Sequence, residues 1–152
     1  MEHVYQTILV GIDGSDQAKE AFKKAVEIAR RNQGRVVVTV VIEPQTSSGL
    51  GYAPMVDNIV ELEEQEAHGI LQEAKDYAAS VNFDRVEDVV AFGSAKVALA
   101  KDLQEKYEAD LIVVGQSGLN AVERFITGSV ASYIIRESKC DVLVVSMEGG
   151  AE

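Results

Sequence analysis

Short apolar runs alternate with stretches of helical period along the whole chain. Thr7-Ile8-Leu9-Val10-Gly11-Ile12 is almost continuously apolar and stops at Asp13-Gly14-Ser15, a turn signal. A strand that is apolar on both faces belongs in a parallel sheet with helices on both sides. Beyond the turn, Ala18, Phe22, Ala25, Val26 and Ala29 recur at helical spacing. Asp16 or Ser15 can cap the start of that helix, and Gly34 lies just past its end, the usual place of a helix-terminating glycine. Val36 to Ile42 is a second, β-branched run. Glu43 to Pro54 is polar with Gly and Pro, and reads as the longest loop.

A long helix is expected from Asp57 to Val81, with Ile59, Leu62, Ile70, Leu71, Ala74, Ala78 and Val81 on its buried side. The acid-rich run from Glu61 to Glu66 then forms a solvated face. Val86 to Phe92 makes a third strand, less uniformly apolar and so nearer an edge. Gly93-Ser94 turns into a helix carrying Val97, Ala98, Ala100, Leu103 and Tyr107. Leu111 to Gly115 is the fourth strand. Gly128-Ser129 opens a last helix with Val130, Tyr133, Ile134 and Ile135, and Val142 to Val145 is the fifth strand.

The resulting βαβαβαβαβ order predicts an α/β fold: an open, doubly wound, five-stranded parallel sheet with helices on both faces. Residues 1–147 are expected to form one domain and 148–152 a flexible tail. In such sheets ligands sit beyond the carboxyl ends of the strands, where the strand order reverses. That rule directs attention to Ile12-Asp13-Gly14, to Val41-Ile42-Glu43, and to Gly115 through Ser129.

Composition narrows the partners. A chain of 152 residues buries roughly 68–70% of its unfolded surface, enough for a core without staples. Its single Cys140 can form no internal disulfide, which fits a reducing, cytoplasmic setting. The formal net charge of −11 opposes nucleic acid, whose non-specific affinity comes from Lys and Arg on phosphates. No apolar run approaches the ~20 residues that a bilayer requires, so no membrane partner is expected. The first residues lack the cationic segment of a signal peptide. Any anionic ligand must therefore be held against the overall charge.

Gly115-Gln116-Ser117-Gly118, nine intervening residues, and Gly128-Ser129 form the densest chemical signal. Read singly, the first glycines make a turn and Gly128-Ser129 caps a helix. Read together, they let backbone N–H groups approach a bulky anion, while a helix start adds unsatisfied donors and a partial positive charge. Phosphate could then be cradled by dipoles instead of many cations. The segment has neither the Lys of a Walker A loop nor a GxGxxG spacing.

This spacing resembles the ATP-binding signature of the universal stress protein (UspA-type) family. Ile8-Leu9-Val10-Gly11-Ile12-Asp13-Gly14-Ser15, Val41, Ser129-Val130 and Cys140-Asp141-Val142-Leu143-Val144-Val145 agree with it, so the resemblance spans nearly the whole chain. It implies a Rossmann-like adenine-nucleotide-binding fold with strand order 3-2-1-4-5. It further implies that Asp13 and Val41 hold the adenosine end of ATP, with Gly11 and Ile12 lining it. Gly115 and Gly118 would contact ribose and phosphates, and Gly128, Ser129 and Val130 would receive the triphosphate. Between the first two glycines stands Gln116-Ser117, where members frequently carry a basic residue or another small pair. Arg124 is then the one cation near by in sequence, either solvated or on phosphate.

A divalent cation, Mg²⁺ or Mn²⁺, would use Asp13 with phosphate oxygens, since Mg²⁺ typically takes one or two carboxylates plus phosphate. Asp13-Gly14 also has the chemistry of a plain turn. Cys140 reads as a small apolar residue, and His3 and His68 are too isolated for a metal site. The chain has no G-x-S-x-G, CxxC or HExxH. It also lacks the HxGH and SGGxDS motifs of nucleotidyl transferases and ATP pyrophosphatases. Val142 to Met147, apolar and last in the sheet, would be an open edge that invites pairing with a second copy, unless the tail folds over it. The expected function is a cytoplasmic, homodimeric, ATP-binding stress-response regulator or sensor. The alternatives are a nucleotide-free dimeric module or a slow ATP-hydrolysing or AMP-transferring enzyme.

Overall fold

The strand β1 (Thr7–Gly11) runs through the middle of a five-stranded sheet in the computed structural model, which describes residues 4–44, 53–116 and 128–146, with no side chains described for 53–60. On one side it pairs in parallel with β2 (Arg35–Ile42), which pairs with β3 (Val86–Phe92). On the other it pairs with β4 (Leu111–Gly115), which pairs with β5 (Asp141–Val145). The order is β3-β2-β1-β4-β5, all parallel, as expected from the sequence. β3 is an edge strand, in keeping with its exposed Glu87 and Asp88.

One face carries α1 (Asp16–Asn32) and α2 (Ala53–Ser80), packed on Ile8, Val10, Val36, Val38 and Val40. The other carries α3 (Ala95–Val97), a π-helical turn (Ala98–Asp102), α4 (Leu103–Tyr107) and α5 (Ser129–Glu137), packed on Leu9, Val37, Ile112 and Val114. Successive residues of β1 thus enter opposite cores, which is why the strand reads as unbroken apolar sequence. The carboxylate of Asp110 ties in the chain entering β1, accepting the N–H groups of Gln6 (2.9 Å) and Thr7 (3.1 Å). Beside it, the Tyr5 hydroxyl donates to Asp141 at 2.7 Å.

Several expectations need correction. α2 begins at Ala53, ahead of the expected Asp57, with Pro54 in its first turn, where a missing N–H costs nothing. Leu62 is 63% exposed instead of buried. It stands half a turn around the helix from Leu71, and the inward stripe is Ala67, Leu71, Ala74 and Ala78. Ile135 is 54% exposed, and the buried residues of α5 are Ala131 and Ile134. The helix after β3 contains the π-helical turn, which no local composition announces. Gly118, Arg124, Met147 and the tail 148–152 lie outside the described residues.

Candidate functional site

Strands β1 and β4 are neighbours, yet the chain leaving β1 enters α1 on one face and the chain leaving β4 enters α5 on the other. This reversal opens a crevice at the carboxyl edge of the sheet. Because α5 leads back to the start of the parallel strand β5, its N-terminus lies at that same edge. Gly11, Ile12, Asp13, Val41, Gly115, Gly128, Ser129 and Val130 are therefore all brought to one end of the molecule.

The turn after β1 is built locally. Ile12 N–H donates to the Thr39 carbonyl at 2.9 Å, extending the pairing with β2 and burying the Ile12 side chain. Asp13 Oδ1 accepts the Ser15 N–H at 2.9 Å, and Ser15 Oγ accepts the Ala18 N–H at 3.2 Å as the cap of α1. Gly14 has φ +89°, where a side chain is strained, and a Cβ there would come within 3.2 Å of Ile70 Cδ1. Asp13 makes the turn and is also exposed at the edge, so the two readings of this residue are compatible.

Glycine at the ends of β1 and β4 has a visible packing role. A Cβ on Gly11 would stand 2.7 Å from Leu99 Cδ1, a residue of the π-helical turn. A Cβ on Gly115 would stand 3.1–3.2 Å from Gln17, including its backbone carbon and oxygen. Gly115 thus lets the first turn of α1 press against the end of β4. Val41 is half-buried on the face of the π-helical turn and pairs with Ala91. Beyond β4, Gln116 N–H donates to the Val145 carbonyl at 2.8 Å.

Gly128 precedes α5 with φ −60° and ψ 161°, and as the N-cap residue it offers no side-chain acceptor to the helix. The first N–H groups of a helix have no intrahelical acceptor, so Ser129 and Val130 present donors and the positive end of the helix dipole. This is the arrangement that receives phosphate or carboxylate at helix starts. Among the described residues no cluster of three His, Cys, Asp or Glu could hold a metal by itself. Asp13 is the one expected metal-ligating residue, and its single carboxylate matches a cation completed by phosphate oxygens.

Two nearby side chains escaped the sequence reading. Gln17 places its Oε1 in a buried position with no hydrogen-bond partner, beside Gly115. Lys96, in α3, sets its Nζ 5.3 Å from the ring centroid of Tyr133 in α5. Both depend on the packing of elements distant in sequence, and no motif marks them. Cys140 is half-buried, and burial, helped by Asp110 and Asp141, pushes its thiol up to about 11. It stays protonated at neutral pH, which suits a packing role and not a nucleophile.

Comparison with known proteins agrees with this architecture. The universal stress protein family matches residues 4–146. A protein of Staphylococcus saprophyticus named as a universal stress protein is 42% identical over 144 residues, spanning 95% of this chain and 85% of the relative. A similarly named protein of Staphylococcus aureus is 41% identical over 144 residues, spanning 95% and 86%. Among solved structures, the universal stress protein UspA of Lactobacillus plantarum superposes with a TM-score of 0.84 at 27% identity, covering 95% of this chain and 99% of that one. A universal stress protein in complex with cAMP superposes with a TM-score of 0.70 at 30% identity, covering 94% and 98%.

Proposed function

The chain belongs to the universal stress protein family, and we propose that it binds ATP at the β1/β4 crevice and acts as a nucleotide-dependent regulator or sensor in the cytoplasm. The observation that carries this reading is the start of α5 behind Gly128, brought to the same sheet edge as the ends of β1 and β4. The cAMP complex of a relative shows that a protein of this fold takes an adenine nucleotide. No helix among the described residues is long and apolar enough to cross a membrane.

In this reading Asp13 and Val41 hold the adenosine end, Gly11 and Ile12 line it, and Gly115 and Gly118 approach ribose and phosphates. The N–H groups of Ser129 and Val130, entered past Gly128, take the triphosphate. Asp13 would supply the one carboxylate to Mg²⁺ or Mn²⁺, which offsets phosphate charge. The net charge of −11 is no obstacle locally: between Gly115 and Tyr133 the only acid is Glu123, with Arg124 next to it. Much of the negative charge lies instead from Asp57 to Asp88. The test is titration with ATP and Mg²⁺ alongside thermal unfolding. ATP at 100 times its dissociation constant adds about 2.7 kcal/mol, a rise of roughly 5–10 °C for a domain of this size. No binding at millimolar ATP would leave a nucleotide-free module of the same fold. Release of AMP or pyrophosphate would make the protein an enzyme.

The same reading assigns a homodimer through β5. That strand is last in the sheet, and Val142, Leu143 and Val144 are only half-buried. Its outer row of backbone donors and acceptors is a template for a second copy, and a two-fold axis covers both edges at once. Sedimentation at micromolar concentration is expected to show a dimer; a monomer across that range removes the assignment.

A further inference from the structure

Three cations gather round the Tyr133 ring, where α3, the π-helical turn and α5 meet, on a protein whose net charge is strongly negative. Lys96, Lys101 and Arg136 lie 5.3, 5.8 and 5.8 Å from the ring centroid. Two of the three have a carboxylate: Lys101 reaches Glu137 at 3.9 Å, and Arg136 reaches the same Glu137 at 3.6 Å. Lys96 is exposed and has no ion pair with any described residue.

Its position is set by the fold. α3 starts where the chain leaves the carboxyl end of β3, so Lys96 stands in a first helical turn at the same edge as the candidate site. Tyr133 is one turn beyond Ser129, and helical side chains lean toward the helix N-terminus. The ring therefore leans toward the first turn of α5, and Lys96 reaches over it from α3. Glu43, an acid on this rim, accepts the Ala95 N–H through its Oε2 at 2.9 Å. That contact satisfies the start of α3 with the chain's own anion, whereas Gly128 offers the start of α5 no side-chain acceptor.

We propose that Lys96 is the residue that grades this site by phosphate number, its ammonium reaching the terminal phosphates of an adenine nucleotide seated on the start of α5. The inference rests on the adenine-nucleotide reading above and adds to it the cation that the spaced glycines do not supply. The N–H groups at a helix start carry only a partial positive charge. A flexible ammonium at the far rim gains with each added charge.

The experiment is calorimetric titration of ATP, ADP and AMP into the wild-type protein, Lys96→Gln and Lys96→Arg. Lys96→Gln is expected to weaken ATP about tenfold while leaving AMP within about twofold, and Lys96→Arg to restore most of the ATP affinity. Unliganded melting temperatures report any loss of packing against Tyr133, which would move ATP and AMP together. Lys96→Gln with unchanged ATP affinity, or with AMP weakened as much as ATP, overturns the proposal and leaves the nucleotide site standing. A wild-type protein that binds none of the three removes the site and this role with it.

Discussion

Replacing Gly34 by alanine is expected to destabilise the protein by about 3 kcal/mol, while replacing its neighbour Gln33 by glycine stabilises it by about 1 kcal/mol. The two residues end α1, and from the sequence Gly34 has the look of a left-handed terminator. The left-handed residue is Gln33, with φ 57° and ψ 36°. Its N–H donates to the Arg30 carbonyl at 3.3 Å, and the Gly34 N–H to the Ala29 carbonyl at 2.9 Å. Gly34 is needed for a different reason. A Cβ there would stand 2.5 Å from the Tyr5 carbonyl oxygen and 2.7 Å from that of Gln6.

Those neighbours are backbone, so no side chain can swing away. The strand entering the sheet must move, and with it the pairing that begins where Arg35 N–H donates to the Gln6 carbonyl at 2.9 Å. Gln33→Gly instead removes a left-handed penalty of about 1–2 kcal/mol, partly offset by the greater freedom of glycine in the unfolded chain. Urea unfolding of both variants at 25 °C is the check. A neutral Gly34→Ala would mean that the entry to β1 shifts freely, and a destabilising Gln33→Gly would mean that the glutamine side chain holds the cap.

The sheet was legible because the two-sided burial of a parallel strand leaves a plain mark. Ile8 to Val10 and Val36 to Val38 are apolar without alternation, and β3, interrupted by Glu87 and Asp88, is an edge. The helices were less so. In α2 apolar identity alone places a lone Leu62 among acids on the inward side, although it faces away from Leu71. The π-helical turn was invisible because it arises from packing: it seats Leu99 against Gly11, a contact between residues far apart in the chain.

The site divides along the same line. Its glycines and helix start follow from spacing and chain order, which one sequence carries. The close approach of Gln17 to Gly115 and of Lys96 to Tyr133 requires knowing which elements lie side by side. Gly115 also changes meaning once its surroundings are known. The space left by its missing Cβ is filled by α1, so it is a packing residue whatever else it touches.

That distinction decides which glycine tests the nucleotide site. Gly115→Ala would press on the Gln17 backbone at 3.2 Å, so lost binding there would be mixed with a disturbed α1. Gly128 has φ −60° and ψ 161°, extended backbone open to any residue. Gly128→Val should therefore fold, at a cost of about 1 kcal/mol for a poorer residue at the helix cap. Its branched side chain would stand at the entrance to the N–H groups of Ser129 and Val130. ATP affinity is then expected to fall about 100-fold or more, the equivalent of losing two hydrogen bonds to a charged group. Mass spectrometry of nucleotide released on denaturation should find it with the wild-type protein and not with the variant, while sedimentation of the two stays the same. If Gly128→Val keeps the same nucleotide at the same affinity, the phosphates do not rest on α5. If it loses the nucleotide and its folded mass together, the glycine serves the fold. Only loss of nucleotide from an intact protein ties binding to the start of this helix.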